Sequence, residues 1–155
     1  MKFSGALVAV TDLERSRKFY EEVLGQKVVM DLGWNLCFTG GFSIQLNFAQ
    51  LMGIDEGTVK YGNHDAELYF EEEDFDAFTE HLKTCEGVEH VHEPKKYEWQ
   101  QRVIRLYDPD KHIIEIGESM AAIARRYLKE GHSIEETAKH IMHPVEFVQS
   151  VAETL

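Results

Sequence analysis

Three polar side chains interrupt runs that otherwise read as apolar strands: Gln45 in Ser43-Ile-Gln-Leu-Asn47, Glu67 in Ala66-Glu-Leu-Tyr-Phe70, and Glu115 in His112-Ile-Ile-Glu-Ile116. A carboxylate taken out of water is costly unless it is paired, hydrogen-bonded or bound to a metal. Strand parity supplies a reason for all three. Phe42, Ile44, Leu46 and Phe48 fall on one face and leave Ser43, Gln45 and Asn47 on the other, while Ala66, Leu68 and Phe70 oppose Glu67, Tyr69 and Glu71. Ile114 and Ile116 likewise oppose Glu115. With the apolar faces packed on helices, the polar faces are expected to line a cleft. Gln45, Glu67 and Glu115 would there form an oxygen-rich metal site suited to a hard or borderline divalent ion, with Glu115 as ligand and Glu67 as ligand or base. Without a cation, two adjacent carboxylates retain a proton to higher pH than a free glutamate does.

An internal cation competes with a metal for those carboxylates. Asp108-Pro-Asp-Lys111 fits a type I turn followed by a left-handed residue, which pairs Asp108 with His112 and sets Arg105 opposite Glu115. A loop one residue longer or shorter presents Arg102 instead. Arg105 and Arg102 are therefore the candidate ligand-binding or ion-pairing cations, and Tyr69, on the Glu67 face, is the candidate aromatic wall. His90 and His92 alternate within Glu89-His-Val-His-Glu-Pro94, a spacing that can chelate. No third ligand at a defined spacing points to them, so an exposed edge strand is the simpler account.

These residues need strands and helices to hold them. The run 3–10 reads as a strand, Asp12 as the N-cap of a helix over 13–24, and Gly25 as its stop. Three strands are expected at 26–32, 35–40 and 42–49, followed by an aperiodic linker from Gln50 to His64. A strand at 66–72, a helix at 74–84, a short strand at 89–94 and the hairpin 100–118 repeat the architecture, although the residues hardly repeat. From Glu118 three short helices are predicted, with Ser133 and Glu136 spaced as a capping box and Pro144 opening the third. Their rhythm suggests a helix-turn-helix, but the last helix contains no lysine or arginine for phosphate contacts.

The 155 residues carry a formal charge of −12, which argues against nucleic acid as partner. No apolar run approaches the roughly 18 residues of a membrane span, and residues 1–16 read as a strand entering a helix rather than a signal sequence. A cytoplasmic location is the default expectation. Cys37 and Cys85 lack metal-type spacing and are expected to be reduced thiols.

Thr11-Asp-Leu-Glu-Arg-Ser-Arg-Lys-Phe-Tyr-Glu-Glu-Val-Leu-Gly25, the stretch 66–78 and Tyr107-Asp-Pro-Asp-Lys-His-Ile-Ile-Glu-Ile-Gly-Glu118 together resemble the vicinal oxygen chelate superfamily, which includes glyoxalase I, bleomycin-resistance proteins and extradiol dioxygenases. The resemblance covers residues 1–117. It implies an α+β fold in which two βαβββ modules, about 1–49 and 65–117, pair to form a curled sheet around a cleft, with residues 118–155 as a C-terminal helical appendage. It also implies a divalent metal (zinc, nickel, manganese or cobalt) held at four positions, which here fall on Gly5, Gln45, Glu67 and Glu115. Gly5 stands where the family's first-strand histidine would be and cannot ligate.

Two functions follow as expectations. One is a metal-dependent lyase or isomerase acting on a small substrate with vicinal oxygens. The alternative is a metal-free protein binding a drug or metabolite, with a cationic or hydroxyl-rich ligand matched to the acidic cleft. A homodimer is expected in either case, with Ile123, Tyr127, Phe147, Val148 and Val151 supplying apolar surface.

Overall fold

The computed structural model describes all 155 residues, which divide into two compact units. The first comprises Met1–Ala66 with Tyr107–Ile113, and the second Glu67–Leu106 with Ile114–Leu155. Each contains most of one four-stranded sheet.

In the first unit the strands are β1 (Ala6–Val10), β2 (Val28–Asp31), β3 (Asn35–Phe38) and β4 (Phe42–Leu46), ordered β1-β4-β3-β2. β1 runs parallel to β4, pairing Ala9 with Gln45, and β3 runs antiparallel to β4, pairing Asn35 with Gln45. Helix α1 (Leu13–Lys18) starts where the Asp12 side chain accepts a hydrogen bond from the Arg15 N–H. It ends sooner than the helix expected over 13–24, because Phe19–Val23 widens into a π-helical turn that buries Phe19, Tyr20 and Val23. Tyr20 lies 5.1 Å from the Phe42 ring, and Phe42 stacks on Phe38 at 4.9 Å. These rings fill the core beside Val10, Leu36 and Ile44.

Two expectations fail near the end of β4. The strand stops at Leu46, since Asn47 takes a left-handed φ of 56° and Phe48–Met52 forms helix α2. The presumed linker 50–64 holds the end of α2 and a 3-10 turn at Glu56–Thr58, whose cap Asp55 accepts from the Gly57 N–H at 2.8 Å. Elements of five and three residues are too short to show a hydrophobic period.

The hairpin tip belongs to the first unit and is built from its polar atoms. Asp108 accepts from the Tyr20 hydroxyl at 2.9 Å and from the backbone N–H groups of Asp110 and His112, both at 2.9 Å. Asp110 accepts from the Thr11 N–H at 3.1 Å, the Thr11 hydroxyl at 2.5 Å and Arg15 Nη2 at 2.8 Å. Both carboxylates are buried, and this many donors offset the loss of water. The turn has the predicted register: the Asp108 N–H donates to the His112 carbonyl, and Lys111 is left-handed at φ 69°.

The second unit carries β5 (Glu67–Glu72), α3 (Phe75–Leu82), β6 (Glu89–Lys96), β7 (Arg102–Tyr107) and β8 (Ile113–Glu118), with strand order β5-β8-β7-β6. Val103, Ile104, Leu106, Ile114 and Ile116 are almost fully buried, as central strands require. Helices α4 (Met120–Lys129), α5 (Ile134–Ile141) and α6 (Val145–Ala152) follow at the three predicted places. Both hydrogen bonds of the capping box form, Glu136 N–H to Ser133 Oγ at 3.1 Å and Ser133 N–H to Glu136 Oε2 at 2.9 Å. Ile123, Val148 and Val151 bury one another in a cluster that Tyr127, Phe147 and Trp99 flank. They close a core within the chain, so they are not the exposed surface expected to meet a second copy. None of the helices is long and apolar enough to cross a membrane.

The clasp at the hairpin tip generates a direct stability test. Tyr20 is fully buried, and burial first, then the Asp108 charge, holds its phenol protonated well above the ordinary range. Tyr20→Phe should therefore lower stability by about 1–3 kcal/mol, the cost of a buried carboxylate losing one donor. Urea unfolding at pH 7 measures it, and an unchanged midpoint would show that the bond contributes nothing net.

Candidate functional site

The β7 to β8 register sets Arg105 beside Glu115, and β5 lies on the other side of β8. Arg105 consequently faces two carboxylates at once. Its Nε donates to Glu67 Oε2 at 3.0 Å, and its Nη2 lies against Glu115 Oε2. Glu115 and Arg105 thus form an ion pair alongside the one between Arg105 and Glu67. Arg105 Nη1 also donates to the Tyr97 hydroxyl at 2.7 Å and lies 3.2 Å from His92 Nε2. The expected juxtaposition of Glu67, Arg105 and Glu115 is thus present within one unit.

Burial and charge act differently on the members of this cluster. Glu115 is only 8% exposed, and burial pushes its pKa above the ordinary carboxylate range; Arg105 opposes that push and neighbouring Glu67 adds to it. For Arg105 burial works against the charge, yet Glu67, Tyr97 and Glu115 together hold its pKa above the usual value. The guanidinium stays charged, and Glu115 keeps a proton to higher pH than a free glutamate does.

Further along the same sheet, Tyr69 accepts from Gln101 Nε2 at 2.9 Å and donates to Glu71 Oε1 at 2.9 Å. Burial, then the bonded Glu71, brings its phenol up to about 12, with the Gln101 bond acting in the opposite direction. Gly117 makes room for this arrangement: a Cβ there would sit 2.4 Å from Gln101 Nε2 and 3.1 Å from the Tyr69 ring. Trp99 Nε1 donates to Gln101 Oε1 at 2.8 Å, and its ring stacks on Tyr97 at 4.6 Å.

Arg102 is placed elsewhere. It bonds Glu118 through Nε at 3.0 Å and Asp76 through Nη1 at 2.6 Å, with its guanidinium 5.0 Å above the Phe75 ring. Opposite parity from Arg105 puts it on the helix-bearing side, where Arg126 is the second partner of Glu118 at 2.5 Å. Burial raises the Glu118 pKa, but the two arginines outweigh it and hold the carboxylate below its usual range. As a ligand-binding candidate Arg102 is therefore corrected to a structural ion-pair partner.

His92 and Tyr97 are site members that the sequence pattern did not reveal. His92 had been assigned to an outward edge. The turn that brings Tyr97 back is closed by Tyr97 N–H to Gln101 O and Gln100 N–H to Tyr97 O, with Gln100 left-handed at φ 69°. No glycine, asparagine or aspartate marks that turn in the sequence. The alternation of His90 and His92 was the available signal, but the two histidines part company: His92 meets Arg105, and His90 lies 3.0 Å from Glu93 Oε1.

Gln45 lies in the first unit, 5% exposed. Its Oε1 accepts from Asn35 Nδ2 at 3.1 Å and its Nε2 donates to the Leu46 carbonyl at 2.6 Å. Gly5 cannot be replaced by a ligand without rebuilding: its φ is 153°, and a Cβ would fall 2.4 Å from the Gly41 carbonyl oxygen. Taken unit by unit, the four positions do not fit a divalent metal. One admits no side chain, one has its amide oxygen engaged, and the two carboxylates already face a guanidinium. Cys37 and Cys85 are both free thiols.

The raised pKa of Glu115 gives a signed pH dependence. A folded pKa above the unfolded one means that the folded state binds the proton more tightly, so ionised Glu115 is a penalty that grows as pH rises through the folded value. Glu115→Gln should gain stability relative to the parent between about pH 4.5, the unfolded value, and pH 7. Paired urea titrations across that window test this, and a gap that stays constant or moves the other way would contradict it.

Residues 3–121 match the family model described as Glyoxalase-like domain. A protein of unknown function from Agrobacterium tumefaciens strain C58 is 36% identical, with a TM-score of 0.68 over 77% of this chain and 94% of that one. Two more distant structures share the fold. A glyoxalase/bleomycin resistance protein/dioxygenase family enzyme from Burkholderia phytofirmans PsJN is 17% identical with a TM-score of 0.64, covering 74% of this chain and 96% of that one. The fosfomycin resistance protein FosX from Mesorhizobium loti is 23% identical with a TM-score of 0.55, covering 76% and 92%. The family match spans most of the sequence, and the protein belongs to the glyoxalase-like branch of the vicinal oxygen chelate superfamily.

Proposed function

We propose that the protein binds a small hydroxyl-rich organic molecule at the polar face of its second unit, with Arg105 rather than a metal ion balancing the carboxylates. The observation that carries this reading is the guanidinium placed against both Glu67 and Glu115. A divalent ion would have to displace it, whereas a sugar-like hydroxyl can accept from Arg105 and donate to Glu67 without disturbing the charge balance. Tyr69 is 48% exposed and offers a ring edge and a hydroxyl for orientation, and exposed Glu71 bonded to it adds a second acceptor. Glu115, whose carboxyl is held up by burial, is the group that would hold or move a proton at a bound hydroxyl.

A thermal-shift screen of sugars, aminoglycosides and cationic glycopeptides, run with EDTA throughout, tests this. At least one hydroxyl-rich compound should raise the parent's Tm, and Glu67→Gln should weaken that compound about fivefold to thirtyfold, as loss of a charged hydrogen-bond acceptor does. Glu67 is exposed enough for the variant to fold. Parallel titration with zinc, nickel, manganese and cobalt should show no stoichiometric uptake. Stabilisation by divalent ions alone, with none by organic compounds, would overturn the reading in favour of the metal-dependent lyase or isomerase.

A further inference from the structure

The first unit contains a cavity of about 430 Å³ that the cluster around Arg105 does not use. Its walls come from the ends of β1 and β4, from α2 and from the segment that follows, with Val10, Leu46, Phe48, Ile54, Glu56 and Tyr61 among them. That volume lies in the range of small-molecule sites. Seven of the eleven lining residues are apolar or aromatic, two of them aromatic, and the surface they leave open is mixed, slightly more polar than apolar. Glu56 is the one ionisable carboxylate in the lining, and no lysine or arginine contributes to it. Lys60, the nearest lysine in sequence, is tied back by its Nζ to the Gly57 carbonyl at 2.5 Å.

The local backbone is shaped to hold this arrangement. Asn47 turns the chain through a left-handed conformation that asparagine tolerates, ending β4 and starting α2 at the cavity wall. Asp55 caps the turn that carries Glu56, which fixes the backbone beneath the carboxylate. Burial, then the charges of Asp110 and Glu56, pushes up the Tyr61 phenol, so the ring lies in negative potential. Ile54 and Tyr61 remain 48% and 38% exposed, a surplus of apolar surface that an occupant would cover.

We propose that this cavity is a second ligand site and takes a small organic cation with an apolar body, such as a substituted ammonium. The apolar groups would lie against Val10, Leu46 and Ile54. The positive head would meet the Glu56 carboxylate and the faces of Phe48 or Tyr61. An anion of the same shape finds no positive group there, and a neutral compound loses the electrostatic part.

The test uses the full chain, labelled with nitrogen-15, and benzyltrimethylammonium as the probe, with 2-methyl-1-phenyl-2-propanol as its neutral isostere. The ammonium should give saturable amide shifts centred on residues 46–61. Glu56→Gln, a change at an exposed side chain, should weaken the ammonium about fivefold while moving the neutral isostere less than twofold. No saturable shift at millimolar probe, shifts centred on residues 67–118, or equal weakening of both probes would overturn the proposal. The hydroxyl-rich site of the second unit stands or falls separately, because its variant is Glu67→Gln and its probes are sugars.

Discussion

The guanidinium of Arg105 is the charge on which the polar face of the second unit depends. Two carboxylates from neighbouring strands converge there, and one is nearly removed from solvent. Left alone they would repel, and one would be forced to keep a proton. Arg105 donates to Glu67 and pairs with Glu115 at the same time. Burial still pushes the Glu115 pKa upward against the pull of Arg105, so the pairing does not cancel the cost of taking that carboxylate out of water. Tyr97 and His92 hold the guanidinium from behind, so its position is set by four side chains rather than by two.

The glyoxalase-like fold is present here with a glycine, an amide and two arginine-paired carboxylates at the positions where the resemblance implies ligands. These residues are spread over distant parts of the chain. Gly5 is required by the closeness of the Gly41 carbonyl, Gln45 is committed to Asn35, and Arg105 takes up the remaining carboxylates. Restoring a histidine at position 5 would demand that the backbone at Gly41 move as well. Fold membership consequently says little about reaction type, which has to be argued from the side chains present.

Much of this was legible in the residues. Alternation within Phe42–Leu46 and Ile113–Glu118 pointed to the polar faces, and the Asp108–Lys111 turn narrowed the partner of Glu115 to Arg105 or Arg102, between which the structure selects Arg105. Helix boundaries at Asp12 and Ser133 were readable because capping chemistry is local. What escaped notice shares a physical cause. Gln100 takes a left-handed conformation without a residue that normally announces one, and Asn47, which does favour it, falls in step with the alternation of 42–49, so the return to Tyr97 and the start of α2 are both hidden in the pattern. The fate of Ile123, Val148 and Val151 was hidden for a different reason: periodicity shows that a helix face is apolar, but not whether the same chain or another covers it.

The clasp of Asp108 and Asp110 has a consequence for how the chain comes to be folded during synthesis. Thr11 and Asp110 are 99 positions apart, and Tyr20 and Asp108 are 88 apart. At ribosomal speeds of about 5–20 residues per second, the donors on the first helix wait roughly 5–20 s for their acceptors to be made. Throughout that interval the N-terminal segment exposes Tyr20 and its aromatic neighbours without the carboxylate that completes their packing. Residues 1–66 are therefore complete before either acceptor exists, and the first unit gains its last two buried carboxylates only when the hairpin tip has been made.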